Sequence, residues 1–471
     1  MKISLKSPVV RGTIMTVLGN GAGSVVRLVG NLVLTRLLFP EHFGTMALVN
    51  VVLAGLAMLS DVGVGPSIIQ NKRGEDPVFL NTAWTVQVIR GATLWMIACA
   101  IAWPLAHLYE RPQLTWLIPV TGVSAMIGGL ESTRLFTANR NMAVGRIVVV
   151  ELVAQIAGAL AMIGFAAQWH SIWALVLGGN VAALVKTILS HVALPGSPNR
   201  FAWDAEARHS LLDFGRWIFL STAITYFSGQ SDKLILGKLI DSTALGLYGI
   251  ATTLSSLPGM IVHQASQRVF FPTVSNMMRR PDHDPREVRV GRTRLLMLLA
   301  PFFGVGTALV IPAVQLAYDR RYHGVGPLAL GLLIGVWLNT LTVSYGAVIL
   351  AAGRPKFIAA GTALKTVAFV AFVWVAMRHF GLVGAAVAMS LAELGVLAAV
   401  VVGCRPLGVV TPGADLAATG VAVAFTGLTM LAYRGLLSVT GHIGVAFAVA
   451  LVAGLAAAAV TARTATRVKA V

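Results

Sequence analysis

The chain has 471 residues, 56% of them hydrophobic and only 11% charged, where an ordinary soluble domain carries about 25% charged residues. That balance excludes a soluble enzyme and marks an all-α integral membrane protein. The formal charge of +18 comes from Lys and Arg spread over short loops and not from a basic arm, so anionic lipid or anionic cargo is the expected partner and nucleic acid is not.

A bilayer core demands about 20 mostly apolar residues per helix. Fourteen segments meet that demand: 12–37, 43–69, 79–105, 114–136, 144–167, 170–192, 210–238, 244–273, 292–317, 326–352, 357–377, 381–402, 415–433 and 443–462. The first follows Lys2, Lys6 and Arg11 but carries Arg27 and offers no small-residue cleavage site, so it reads as a retained helix and not as a leader. Along it, Thr13, Thr16, Asn20, Ser24, Arg27, Asn31 and Thr35 recur every three or four residues and form one polar stripe. Gly12, Gly19, Gly23 and Gly30 form a second stripe suited to close contact with another helix. A polar face of that length is tolerable in hydrocarbon only against a water-filled cavity or polar partners on other helices. The cavity accounts better for a stripe centred on an arginine.

The second segment ends in DVGVGP, where Asp61, Gly63, Gly65 and Pro66 make a candidate hinge. The third carries Arg90 at mid-depth, with Gln87 on its face. A polar connection, 193–209, separates an expected N-terminal lobe, 1–192, from a C-terminal lobe, 210–402; residues 403–471 add two helices and a tail. In segment 210–238, Ser221, Thr225, Ser228 and Asp232 line one stripe, and Thr222, Tyr226, Gly229 and Lys233 the next. Asp232 and Lys233 therefore belong to a wide polar face, either lining a cavity or close enough to an interface for the lysine to snorkel. Further on come a central polar patch of Asn339, Thr340, Thr342, Ser344 and Tyr345, then Lys365 and Glu393.

Two features organise the whole. With both termini on one side, twenty-two Lys and Arg fall on that side and seven on the other, which predicts cytoplasmic termini. LVLTRLLFPEHFGTMALV, residues 32–49, also aligns without a gap to LILGKLIDSTALGLYGIA, residues 234–251, placing Arg36 on Lys238 and Gly44 on Gly246. Six helices separate the copies, so the repeats are parallel, as in several transporter folds. Enzyme chemistry has little support. The histidines are scattered, no carboxylates are paired for acid and base work, and GNGAG lacks the strand that a phosphate loop requires. Cys99 and Cys404 match no metal or redox spacing and read as core residues, so neither metal nor cofactor is expected.

LTRLLFPEHFG, DVGVGPSIIQNK, SDKLILGKL with ALGLYGIA, and ASQRVFFPTVSNM, taken in this order, resemble bacterial polysaccharide flippases of the Wzx type, within the multidrug/oligosaccharidyl-lipid/polysaccharide exporter superfamily. The resemblance covers nearly the whole chain and is weakest over the last two segments. It implies two six-helix lobes around a central cavity, and export of undecaprenyl-pyrophosphate-linked oligosaccharide across the inner membrane by alternating access. A polysaccharide polymerase complex is the implied partner. Lipid II flippases of the superfamily use first-helix arginines in a cationic cavity, and Arg27 is the candidate here. The acidic first-helix site of the drug antiporters is missing. The expected substrate site is thus Arg27, Arg90, Lys233 and Lys365, with Asn20, Ser24, Asn31, Asn339 and Tyr345 as polar lining and Asp232 or Glu393 for ion coupling. A lipid II flippase and a multidrug antiporter are the alternatives.

Overall fold

A computed structural model of the chain describes residues 8–60, 63–280 and 284–467. Asp61, expected at the hinge, lies outside the described residues, as do the side chains of Asn20 and of positions 209–225. The described chain is helical throughout: α1 (Pro8–Leu37), α2 (Pro40–Leu59), α3 (Val64–Gln70), α4 (Pro77–Leu108), α5 (Leu114–Gly129), α6 (Arg134–Arg140), α7 (Val144–Trp169), α8 (Trp173–Val192), α9 (Ala205–Leu239), α10 (Ser242–Ala265), α11 (Phe271–Met278), α12 (Pro285–Ala317), α13 (Val325–Ala351), α14 (Lys356–Cys404), α15 (Pro412–Thr440) and α16 (Ile443–Arg467). Among the described residues, ten helices are long and apolar enough to cross a membrane, or eleven if the bent pair α5 and α6 is one span. That count takes 356–407 as one crossing, although Gly381, at φ 60 and ψ −151, breaks α14 into two arms. The chain is a multi-pass membrane protein and divides into two compact units, Met1–Gly246 and Leu247–Val471.

In the first unit, glycine decides which helices touch. The glycine face of α1 lies on α7, where Gly19 meets Val148, Gly23 meets Gln155 and Gly30 meets Ala159. Gly91 of α4 meets Gly129 of α5, backbone against backbone. The closest approach joins the two glycines that the internal repeat superposes. A Cβ on Gly44 would fall on the Ser242 carbonyl oxygen and 2.7 Å from the Gly246 nitrogen, and a Cβ on Gly246 would fall on the Pro40 carbonyl oxygen. The contact is reciprocal, as expected of equivalent positions facing one another. Beside it, the Thr45 hydroxyl bonds Ser242 Oγ at 3.3 Å.

Helix breaks account for the rest of this unit. α2 stops at Leu59, and Gly63, in the left-handed region at φ 65, restarts the chain as α3. Arg140 donates to the Ile68 and Asn71 carbonyls at 2.8 and 2.6 Å, satisfying the end of α3. Gln87, buried in α4, donates to the Glu131 carbonyl at 3.0 Å beyond the end of α5, and Arg134 does the same for Leu194 and Ser197 at 3.1 Å each. The connection 193–204 is tied to α4 through Arg200 N–H to Asn81 and Asp204 N–H to Thr82. Asp204 caps α9 by accepting from the Ala207 N–H at 2.9 Å. Arg73 gathers Asp76 at 2.8 Å and Glu206 at 2.9 Å, which holds the Asp76 carboxyl below its ordinary range. Tyr226 of α9 donates to the Val51 carbonyl at 2.8 Å and packs against Gly55 of α2.

In the second unit, α12 lies against α13, α15 and α16. The two arms of α14 pack through Gly361 against Val396, and Ser390 donates to the Gly331 carbonyl of α13 at 2.8 Å. Arg292 of α12 is 0% exposed. Its guanidinium donates to Ser344 at 2.9 Å, to Thr411 at 2.7 Å and to Asp415, and lies 3.5 Å over the Tyr345 ring. Tyr345 in turn donates to Asp415 at 2.7 Å. One arginine thereby joins α12, α13 and α15. Cys404 is buried here, whereas Cys99 is exposed on α4, so only Cys404 is a core residue.

Two outcomes follow. Gly44→Ala or Gly246→Ala forces backbone apart and costs about 1–3 kcal/mol, while Gly21→Ala, with nothing within 4 Å of its Cβ, costs nothing; thermal scans of detergent-purified protein measure the difference. Arg292→Ala leaves Asp415 without its cation and costs about 3–5 kcal/mol. Arg292→Met with Asp415→Leu recovers most of that loss, as read by the same scans.

Candidate functional site

The candidate cations have different surroundings. Arg27 is exposed on α1 and donates to Ser24 at 3.0 Å, one turn earlier on the polar stripe. The neighbouring glycine face is occupied: Gln155 of α7 donates to the Gly23 carbonyl at 2.7 Å. Arg27 therefore stands beside the α1–α7 contact and not within it, while Asn31, farther along the stripe, is half-buried.

Arg90, half-buried in α4, reaches the place where α2 breaks. It donates to the Ala57 carbonyl at 2.6 Å and to Ser60 Oγ at 3.0 Å. An α-helix leaves its last carbonyls without partners, and a membrane makes that costly. Arg90 is thus coupled to the segment holding Gly63, Gly65 and Pro66. Of these, Gly63 is buried in the left-handed region, Gly65 packs against Phe136 of α6, and Pro66 is exposed. Any movement at this break changes what the guanidinium bonds.

On α9, Asp232 is buried and Lys233 is half-buried, with Lys233 Nζ donating to Gln230 at 3.2 Å. Adjacent in sequence, they point to different environments, as the 100° step of a helix requires. Arg27, Arg90 and Lys233 all belong to the first unit.

The second unit treats its candidates differently. Lys365 and Glu393 face one another from the two arms of α14, and the ammonium donates directly to the carboxylate. Gly381 makes this possible by folding the arms together. The pair is neutral overall, which makes both charges tolerable at this depth. Tyr345 is 0% exposed, with hydroxyl and ring both committed to the Arg292 and Asp415 network, and Asn339 is half-buried.

The pairing of Lys365 with Glu393 was not foreseen, nor were two further charged interactions. Lys186 and Glu131 bond at 2.9 Å across α8 and the end of α5, and Arg292 pairs with Asp415. All four residue types were visible, but only folding brings them together. Among the described residues no group of three or more His, Cys, Asp and Glu could hold a metal ion.

Residues 33–327 match the family described as polysaccharide biosynthesis protein. Among relatives, the chain is 26% identical over 307 residues to the succinoglycan biosynthesis transport protein ExoT of Rhizobium meliloti (strain 1021), across 64% of this chain and 60% of that protein. It is 22% identical over 407 residues to the lipopolysaccharide biosynthesis protein WzxC of Escherichia coli (strain K12), across 83% of this chain and 80% of the other. Among solved structures, it resembles the lipid II flippase MurJ in an inward closed conformation, with a TM-score of 0.71 at 11% identity over 97% of this chain and 100% of that one. It also resembles an inward-facing multidrug resistance MATE family transporter of the MOP superfamily, with a TM-score of 0.59 at 12% identity over 84% of this chain and 98% of that one. At such identities the likeness is one of fold. The family match takes in α2 to α12 and ends at the start of α13, well over half of the sequence, and the chain belongs to the polysaccharide biosynthesis protein family.

Proposed function

We propose that the chain is a flippase that exports undecaprenyl-pyrophosphate-linked oligosaccharide across the bacterial inner membrane by alternating access, for polysaccharide biosynthesis. The observation that carries this reading is membership of the polysaccharide biosynthesis family on an all-helical fold shared with a lipid II flippase. Relatives named for succinoglycan transport and lipopolysaccharide biosynthesis support it. The lipid II reading rests on fold alone at 11% identity and stands second. Both termini are cytoplasmic by the distribution of Lys and Arg. Fourteen crossings result when the bent pair α5 and α6, α1, α9 and the two arms of α14 are each counted as spans. The parallel repeats, 1–192 and 210–402, make two six-helix lobes joined by 193–209, and a polysaccharide polymerase takes up the exported unit.

In this reading Arg27, Arg90 and Lys233 neutralise the pyrophosphate while the lipid tail stays in the bilayer. A guanidinium suits the task because it bonds phosphate oxygens two at a time and keeps its charge when desolvated. Arg90 has a second role, since its bonds to Ala57 and Ser60 make phosphate binding compete with the end of α2. Asn20, Ser24, Asn31 and Asn339 offer hydrogen bonds that water can replace, which makes few demands on sugar identity. Lys365 is paired with Glu393, and this reading gives that pair to ion coupling. An inside-negative potential drives each negative charge outward by about 2.3 kcal/mol per 100 mV.

Transport of labelled lipid-linked oligosaccharide into proteoliposomes tests this. Replacing Arg27, Arg90 or Lys233 with Ala removes a charged hydrogen bond of about 1.5–3 kcal/mol and slows transport roughly 10- to 100-fold. Unchanged rates in all three variants would refute the assignment. Lys365→Met with Glu393→Leu keeps the fold but loses the dependence of rate on a proton gradient.

A further inference from the structure

One cavity of the first unit is unconnected with the membrane-depth cations. It measures about 530 Å³ and lies where four loops meet: after α1, between α4 and α5, between α7 and α8, and at the start of α10. Its volume falls within the roughly 300–1,000 Å³ of small-ligand sites. Glu41, Glu110 and Arg111 line it together with Trp116 and Trp173, which are 71% and 36% exposed.

The chemistry of the lining is mixed in an informative way. Arg111 is anchored by one nitrogen, Nη2, which donates to the Ile240 carbonyl at 2.8 Å. Its other terminal nitrogen, Nη1, is buried with no hydrogen-bond partner among the described residues. A buried unsatisfied donor on a guanidinium is costly, and a ligand oxygen would remove that cost. Glu110 is held by Lys238 at 2.5 Å and sits in the left-handed region at φ 56, at the end of α4. Helices commonly place glycine there, so the carboxylate is kept at a conformational expense.

The lining narrows the ligand class. A lipid tail would want apolar walls throughout. A free phosphate would meet two carboxylates. A lipophilic cation would meet Arg111, with Glu110 already bound to Lys238. A saccharide fits all of these features: its hydroxyls both donate and accept, and its apolar ring faces lie against indoles, which offer broad, rigid contact area. We propose that this cavity is a saccharide-binding vestibule, with Arg111 Nη1 donating to a sugar oxygen, Glu41 and Glu110 accepting from hydroxyls, and Trp116 and Trp173 supporting the rings. The identity of the sugar as exported cargo, and the outward position of the vestibule, rest on the flippase reading above.

The test is binding of the full chain in nanodiscs to an array of bacterial oligosaccharides, with thermal scans to verify folding. The unaltered protein should bind at least one glycan. Arg111→Ala and Trp116→Ala should each weaken that binding at least tenfold, and the exposure of Trp116 means that its replacement leaves the fold intact should the arginine variant not fold. Gly21→Ala, with nothing within 4 Å of its Cβ, should bind the array as the unaltered protein does. No glycan bound, or binding unmoved by Trp116→Ala, overturns the vestibule and returns both indoles to interfacial anchoring. Absence of lipid-linked oligosaccharide transport by the unaltered protein in proteoliposomes would instead overturn the flippase reading and leave array binding as an independent result.

Discussion

Hydrocarbon offers no hydrogen bonds, and nearly every polar feature of this protein is arranged around that fact. Where a helix breaks, the exposed carbonyls are met by a side chain from elsewhere: Arg90 at the end of α2, Arg140 at the end of α3, Gln87 beyond α5. Where an arginine is fully buried, as Arg292 is, four protein groups surround it.

Close packing is the second determinant. The reciprocal contact of Gly44 and Gly246 brings α2 and α10 together at backbone distance, and the same segment carries Glu41, His42, Thr45 and Ser242 into the polar cavity. Any larger residue at either glycine would open the contact and move the cavity wall. The repeat therefore does more than duplicate a hairpin, because it supplies both halves of the closest helix contact in the first unit.

The candidate cations of the two units have different neighbours. In the first, Arg27 bonds Ser24, Arg90 bonds Ser60 and the Ala57 carbonyl, and Lys233 bonds Gln230. In the second, Lys365 faces Glu393 and Arg292 faces Asp415, so the positive charge is cancelled within the protein.

Much was legible in the residue order. Hydrophobic runs located the spans, because length and apolarity are properties of a segment alone. The glycine stripe on α1 foretold a close neighbour. Partners were not legible. Arg292 read as one more loop cation and Gln87 as a companion of Arg90. The sequence by itself determined which stretches enter the membrane, which faces are polar and which family the residues resemble. Only the tertiary structure decided which charges are cancelled, since Lys365 meets Glu393 and Arg292 meets Asp415 across separate helices or arms. The carbonyls that Arg90, Arg134 and Arg140 seek are present on every residue and leave no trace in the sequence.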